Sequence, residues 1–306
     1  MLSFLDYAFA LCAILLLAAL SGYVSERSGV VNIGIEGMMS IGALVVAMIG
    51  SAVNKSSTHN LDQLWVVLVG GIVAAVFALF HGFASITLKA NQVISGTAIN
   101  ILAAGIALFF ATSGFFGSSA TDISTNFHSL YVDSNHVLPV WLLIGLGIAV
   151  LLLVFFTFTK FGMRYKMVGE NPNAVDAAGI SVTKYRYLAV FLSGFLAGIG
   201  GGVMICTIVG GGTFGGTTFG FGFLGLAILI FGQWNILYIT IGVVAFGFLY
   251  TLGNQLGTLT TNISIKNNAG IFRIIPFVLT IVVMVIFSKW SHAPAANGQP
   301  FDKALR

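Results

Sequence analysis

Charged side chains are scarce in this sequence: aspartate, glutamate, lysine and arginine together make up 7% of its 306 residues. A soluble domain carries about 25% charged residues, so this chain lacks the means to build a water-facing surface. Hydrophobic residues make up 58% of the chain, and its mean hydropathy is +1.01. The shortage of charge excludes a soluble globular class and predicts an integral membrane protein surrounded by the lipid bilayer.

Cysteine pairs and nucleotide-binding motifs are also lacking. Cys12 and Cys206 lie within apolar runs without paired spacing, so neither a disulfide framework nor a metal site is predicted. No Gly-Lys pair occurs, which excludes the phosphate-binding loop of nucleotide hydrolases, and no catalytic set can be assembled. We therefore predict that the chain is not an enzyme. The net charge is +4, and most of the lysines and arginines lie between the apolar runs. Basic residues in such places orient a membrane protein in the bilayer, so we predict no nucleic-acid partner.

Long apolar runs predict a single all-α domain over residues 1–306, a polytopic transmembrane bundle of about eight spans with broken or re-entrant segments. Residues 113–138 lack lysine and arginine and are expected outside the cell, whereas the basic stretch 160–186 and the tail 288–306 are expected in the cytoplasm. The glycine-rich stretch 210–222 is interpreted as an outward or re-entrant segment, with a plain loop as the alternative. The apolar runs are residues 2–24, 25–50, 64–88, 93–112, 139–158, 187–209, 223–231, 236–252 and 271–287.

The basic stretch contains the pattern of one short helix. Asn171 is a good N-cap, Pro172 fits the first helical position, and Gly179 is placed to end the helix. Such a helix of about two turns is not stable alone in water, so it needs a surface to pack on. Ala174, Val175 and Ala178 would form an apolar face suited to a groove in another protein. The alternative is an ordinary connector between two membrane helices.

Polar residues inside the apolar runs mark candidate sites. An intramembrane carboxylate is costly and usually paired or functional, so Glu36 is a candidate; the alternative puts it at the cytoplasmic interface, solvated or paired with Arg27. His81 is interpreted as a packed or hydrogen-bonded residue. The small residues Gly194, Gly198 and Gly202 form a ladder that allows close helix packing. The residues that could line a pathway for a neutral solute are Asn32, Glu36, Asn91 and Asn100.

Three stretches together resemble the membrane-spanning permease subunits of bacterial ABC importers, in the branch that contains branched-chain amino-acid, ribose-type sugar and nucleoside permeases. Residues 25–43 (SERSGVVNIGIEGMMSIGA) are similar to the second-helix signature of the nucleoside or simple-sugar subgroup. Residues 168–182 (VGENPNAVDAAGISV) resemble the cytoplasmic coupling segment of the family, and residues 187–202 (YLAVFLSGFLAGIGGG) resemble the helix after it.

The resemblance implies a multi-pass protein of the bacterial plasma membrane whose coupling segment docks on a separate ABC ATPase, which binds ATP and Mg²⁺; this chain carries no cofactor. It also implies a second permease chain, identical or different, and an extracytoplasmic substrate-binding lipoprotein. The implied cargo is a nucleoside, with a simple sugar such as ribose as the alternative. The implied ATPase-coupling residues are Gly169, Glu170, Asn171, Pro172, Asn173, Ala174, Val175, Ala177, Ala178 and Gly179.

Two other classes of function compete with the importer. An ion-gradient-driven secondary transporter would favour paired intramembrane acids or a proton relay, for which only Glu36 is a serious candidate. A purely structural or assembly subunit is the other alternative, and the glycine ladder by itself would fit it. The capped helix after Asn171 distinguishes these classes, because docking on an ATPase requires it and the other functions do not.

Overall fold

The computed structural model describes the chain as a helical bundle. Within the described residues there are ten α-helices and one antiparallel pair of two-residue strands, so the predicted all-α fold is confirmed. The residues described are 2–53, 60–112, 123–124, 127–132, 137–210, 212–259 and 293–303, with isolated positions between 274 and 285. The elements are α1 (Leu2–Glu26), α2 (Ile35–Val53), α3 (Gln63–Gly82), α4 (Gln92–Thr112), β1 (Ile123–Ser124), α5 (Val140–Phe158), α6 (Lys160–Glu170), α7 (Pro172–Ala177), α8 (Val182–Met204), β2 (Thr213–Phe214), α9 (Phe221–Phe231) and α10 (Ile236–Leu259).

Seven of the described helices are long and apolar enough to cross a membrane: α1 to α5, α8 and α10. Helix α1 lies at the centre, since Leu11 to Leu20 are almost completely buried, as expected of a helix that is apolar on all sides. Helix α8 is also enclosed and packs on α1, α2 and α3. Helix α4 buries a narrow face of small residues such as Ala103 and exposes large ones such as Ile101, which is typical of the periphery of a membrane bundle.

The two ends of the bundle differ in composition. The end that carries α6 and α7 has most of the basic side chains and is called the basic end. At the opposite end, His128 O accepts a hydrogen bond from Gln63 at 3.0 Å, and the Tyr131 hydroxyl donates to Asp6 at 2.5 Å. Helix α1 runs from the opposite end to the basic end, and α2, α3, α4, α5 and α8 then alternate in direction. Helix α10 runs in the same direction as α8, because α9 returns the chain to the basic end between them.

The glycine-rich stretch and α9 make one crossing together. From β2 at the opposite end, the chain turns back into the bundle, passing Leu108 of α4 at Gly216, where φ is +83°. Helix α9 then leads to the basic end, but its 11 residues span only about 16 Å, too little to cross a membrane. The stretch 210–222 thus lies at the opposite end and turns back into the bundle, and the prediction of a separate full span at 223–231 is wrong. With the seven long helices, this gives eight candidate crossings within the described residues; the predicted total of about eight also included the span at 271–287.

The basic stretch is more structured than the sequence predicted. Helix α6 precedes α7 and was missed because Gly162 and Gly169 lower its helix propensity. Packing overrides that propensity: Tyr165 and Val168 are buried, and Thr159 caps the helix by accepting a hydrogen bond from Gly162 N at 2.9 Å. The span predicted at 187–209 also begins earlier, because α8 starts at residue 182.

Two predicted regions lie largely outside the described residues. The extracytoplasmic loop predicted at 113–138 is described at 123–124, 127–132 and 137–138, and the last span predicted at 271–287 only at isolated positions. Helix α10 reaches the opposite end, where Asn254 donates to Tyr7 at 3.2 Å. Residues 293–303 lie at the basic end, where Ala296 N donates to Gly169 O at 2.8 Å.

Glycines set the distances between the central helices. A methyl group at Gly198 of α8 would lie 2.4 Å from Ala74 Cβ of α3, and one at Gly194 would lie 2.4 Å from Ala78 Cβ. Gly202 faces Val46 and Val67, and Gly42 of α2 lies against the backbone of Gly198. Small residues at these positions let the backbones approach closely. The tightest contact involves Gly201, outside the predicted ladder, where a methyl group would lie 2.0 Å from Met39 O of α2.

We expect Gly201→Ala to destabilise the bundle by about 1–3 kcal/mol, because an added methyl group must push the α2 and α8 backbones apart. The measurement is the apparent Tm of the protein in detergent, followed by size-exclusion chromatography after heating. The matched control is Gly147→Ala, since nothing lies within 4 Å of a methyl group at Gly147. Equal Tm values for the two variants would contradict the expected strain at Gly201.

Candidate functional site

The connection between α1 and α2 is an unwound segment held by side chains from neighbouring helices. Asn100 of α4 donates to Ile33 O at 2.9 Å and accepts from Gly37 N at 2.8 Å. Asn100 lies about 12 Å along α4 from Gln92 at the basic end, at about 1.5 Å per residue. The segment is therefore inside the bundle, where water cannot satisfy its backbone and the amide of Asn100 does so instead.

Two further polar side chains hold the same segment at Val31. Gln92 Oε1 accepts from Val31 N at 2.7 Å, and His81 Nε2 lies 3.1 Å from Val31 O. A carbonyl only accepts, so Nε2 carries the proton and Nδ1 accepts from the Ser95 hydroxyl at 3.0 Å. The prediction that His81 is hydrogen-bonded is confirmed. Gln92 was missed as part of this set, although its position at the start of an apolar run is the signal that could have found it.

Asn32 is fully buried where the unwound segment meets α8. Its Nδ2 donates to the Ser193 hydroxyl at 2.8 Å, and Ser21 of α1 lies 3.0 Å from the same hydroxyl. The Asn32 Oδ1 atom is buried and has no hydrogen-bond partner. This cluster joins α1, α8 and the unwound segment with neutral groups, which avoid the cost of a buried charge.

Glu36 lies in the first turn of α2 and contacts the beginning of α9. Its carboxylate accepts from Thr218 Oγ1 at 2.6 Å, Gly220 N at 2.9 Å and Gly222 N at 2.6 Å. The N-termini of two helices, α2 and α9, thus meet one negative charge, an arrangement that helix dipoles favour. The alternative pairing of Glu36 with Arg27 is wrong, because Arg27 bonds to Trp234 O at 2.6 Å and lies 3.8 Å from Glu170.

The structure brings together three of the four candidate pathway residues. Asn32, Glu36 and Asn100 surround the unwound segment and the first turn of α2. Asn91 lies apart from them at the basic end, where its side chain caps α4 by accepting from Val93 N at 2.9 Å and Ile94 N at 3.2 Å. A residue just before an apolar run is a natural helix cap, which explains its position.

Helix α7 is capped at both ends as the sequence predicts. Asn171 Oδ1 accepts from Ala174 N at 3.1 Å, and Pro172 is the first helical residue. Gly179 has φ +78°, a conformation that favours glycine. The last turn closes with Ile180 N donating to Val175 O at 3.2 Å and Gly179 N to Asp176 O at 3.0 Å, which is a Schellman motif. The predicted short helix and its stop are confirmed.

One face of α7 packs on its own chain and the other is exposed. Val175 is buried against Val168 and Val182, so it is not available to a partner, contrary to the sequence interpretation. A period of 3.6 residues puts Ala177 roughly opposite Val175. Ala174, Ala177 and Ala178 remain exposed. An apolar hollow of ≈ 440 Å³ lies between α6 and α7, with a floor that includes Met163, Met167 and Ile180.

The basic side chains of this end are unevenly exposed. Lys160, Arg164 and Lys184 are exposed, whereas Arg186 is buried and donates to Gln299 O at 2.8 Å. Burial, and then the charge of Arg27, lower the pKa of the Lys166 ammonium. The positive charge that an external partner or the aqueous phase can meet therefore belongs mainly to α6 and the start of α8.

Comparisons with known proteins agree with this architecture. Residues 4–284 match a family described as the permease component of the branched-chain amino acid transport system. The chain is 36% identical to the guanosine ABC transporter permease protein NupQ of Bacillus subtilis over 95% of this chain and 94% of NupQ. It is 32% identical to the nucleoside ABC transporter permease protein NupC of Lactococcus lactis over 95% of this chain and 93% of NupC.

A third relative carries a different cargo in its name. The putative glucose ABC transporter permease protein TsgC13 of Haloferax volcanii is 32% identical over 91% of this chain and 85% of its own length. No solved structure matches the chain. The family match covers most of the chain, and the seven long apolar helices fit it. The chain therefore belongs to the branched-chain amino acid transport family of ABC transporter permeases, and it is a multi-pass protein of the plasma membrane.

Proposed function

We propose that this chain is the membrane subunit of an ATP-driven importer and that α7 docks on a separate cytoplasmic ATPase. The observation that carries this proposal is the exposed alanine face of α7, fixed by caps at both ends beside an apolar hollow. Such a face suits a groove in a partner protein. The sequence has no phosphate-binding loop, so ATP and Mg²⁺ belong to the partner.

The basic end faces the cytoplasm in this proposal. Its exposed Lys160, Arg164 and Lys184 agree with the excess of positive charge in cytoplasmic loops of membrane proteins. The opposite end, with the β1–β2 pair, would then receive solute from an extracytoplasmic binding lipoprotein. A second permease chain, identical or different, would complete the translocation pathway.

The cargo we propose is a nucleoside. Two relatives that match nearly the whole chain are named for guanosine or nucleosides. The buried amides of Asn32 and Asn100 suit a neutral, hydrogen-bonding solute because an amide donates and accepts without a charge. A simple sugar is the second candidate, supported by the glucose-named relative. Both are neutral and rich in hydroxyl groups, so the site chemistry favours neither strongly.

The function is tested by uptake into vesicles that contain this chain with its ATPase, second permease and binding protein. We expect labelled guanosine or uridine to accumulate only when ATP is inside, since energy comes from the partner ATPase. Ribose and glucose are the comparison solutes. Accumulation of a sugar alone would replace the cargo, and uptake that follows an ion gradient without ATP would overturn the importer.

Gly179→Val tests the docking of α7. A β-branched residue cannot adopt φ +78° without strain, so the Schellman turn should open and α7 should lose its position. We expect nucleoside-stimulated ATPase activity of the assembled complex to fall at least tenfold while membrane insertion is normal. Gly147→Val is the matched control, because Gly147 is helical and faces open space. Full stimulation in Gly179→Val would count against docking at α7.

Glu36→Gln tests the carboxylate at the start of α9. The change replaces one carboxylate oxygen by an NH2 group, which cannot accept, so either Gly220 N or Gly222 N loses its acceptor. Loss of a charged hydrogen bond costs about 1.5–3 kcal/mol. We expect nucleoside uptake to fall about tenfold or more. Asp62→Asn, at the opposite end beside Trp65, controls for loss of a carboxylate. Wild-type uptake by Glu36→Gln would remove Glu36 from the transport mechanism.

A further inference from the structure

The segment 293–303, which we call the C-terminal strap, lies across the basic end of the bundle. It has little regular structure, yet its backbone is bonded to three separate parts of the chain. These bonds fix the path of the strap over the surface. They join Ala296 N to Gly169 O of α6 at 2.8 Å, Gly298 N to Gly29 O at 3.2 Å, and Arg186 Nη1 of α8 to Gln299 O at 2.8 Å.

The far end of the strap is attached to α7. Phe301 packs against the small apolar cluster that contains Val175 of α7. Lys303 Nζ lies 2.9 Å from Asp176 Oδ1 of the same helix, and Lys89 lies 2.6 Å from Asp302. The proposed coupling helix is therefore in contact with the strap through one apolar side chain and one ion pair.

The middle of the strap reaches the end of α1. Asn297 Nδ2 donates to Glu26 Oε2 at 3.0 Å, and the same oxygen accepts from Trp234 Nε1 at 2.7 Å. Glu26 is 5% exposed and lies at the C-terminus of its helix, where the helix dipole disfavours a negative charge. A carboxylate in this position depends on its donors, so Glu26 links Asn297 of the strap to Trp234.

Trp234 lies in the turn that follows α9, and the other end of α9 holds Glu36. Gly220 N and Gly222 N donate to that carboxylate at 2.9 and 2.6 Å. Contacts are thus continuous from α7 through the strap, Glu26 and α9 to the first turn of α2. Helix α9 is 11 residues long, and each of its two ends is bonded to one of these carboxylates.

We propose that the C-terminal strap is a positioning device that transmits displacement of α7 to α9, and that Asn297 is its positioning residue. The proposal rests on the proposed function, in which an ATPase moves α7. A strap bonded to α6, α7 and the end of α1 can pass a displacement to the α9 turn through Glu26, whose carboxylate Asn297 and Trp234 share. This role would explain why a segment with little regular structure is bonded along its length to α6, α7 and α8.

The first test is Asn297→Leu in the complete importer complex. Leucine is branched at Cγ like asparagine, although it is larger, and it cannot donate to Glu26, so the strap loses the hydrogen bond that links it through Glu26 to Trp234 in the α9 turn. We expect assembly and basal ATP hydrolysis to persist, while nucleoside imported per ATP hydrolysed falls about fivefold. Gln299→Ala is the matched control, since the backbone of Gln299, not its side chain, bonds to Arg186. An unchanged ratio in an assembled Asn297→Leu complex would overturn the proposal.

The second test changes the far end of the strap, at Lys303. It decides the question even if Asn297→Leu folds poorly. Lys303→Glu should lower the import ratio, and Lys303→Glu combined with Asp176→Lys should restore it, because the ion pair is rebuilt with its charges exchanged. Because the Asp176 side chain is only 10% exposed, the apparent Tm of each variant is measured as well, and a lowered ratio at an unchanged Tm separates transmission from a loss of stability. Failure of the double variant to restore a lowered ratio would contradict transmission through this pair.

A third measurement separates this proposal from the proposed function. If the wild-type complex imports no nucleoside, the proposed function fails, and amide hydrogen exchange still decides whether the strap controls α9. The chain in nanodiscs is compared with Asn297→Leu, with exchange measured over the α9–α10 turn. Faster exchange by about tenfold in the variant supports the contact route. Equal exchange overturns it.

Discussion

The structure depends on one constraint: a backbone amide or carbonyl inside a membrane must find its hydrogen-bond partner within the protein. Continuous helices meet this constraint by themselves, but the chain leaves the helical path between α1 and α2 and again before α9. At the first break, the polar side chains of His81, Gln92 and Asn100 replace the missing helical partners. At the second, the free amides at the start of α9 are turned to Glu36.

Close helix packing follows from the same constraint. Side chains such as Asn100 reach the unwound backbone only if α4 lies close to it, and Gly34 and Gly96 make that approach possible: a methyl group at Gly96 would lie 3.0 Å from Gly34 N. The glycines of α8 bring α2 and α3 equally close on the other side. At the unwound segment, polar residues and glycines therefore work together, since the contacts of Asn100 need the close approach that Gly34 and Gly96 allow.

The sequence predicted the features that arise from local chemistry. The caps of α7 were predictable because Asn171, Pro172 and Gly179 act within a few residues of their own helix. The partners of Glu36 were not, since they come from residues nearly two hundred positions away and depend on how α9 folds back. Asn91 was grouped with the pathway because amides look alike in sequence, whereas the structure uses it as a cap. Helix α6 was missed because its stability comes from packing.

Two carboxylates on different helices determine the position of α9. Glu36 of α2 holds its N-terminus, and Glu26 of α1 holds the turn after its C-terminus through Trp234. Helices α1 and α2 are joined only by the unwound segment, which bends more easily than a continuous helix. A change in the angle between them must therefore shift or tilt α9, because both of its ends are held. The unwound segment, the glycine-rich stretch before α9 and α9 itself are therefore connected through Glu26 and Glu36.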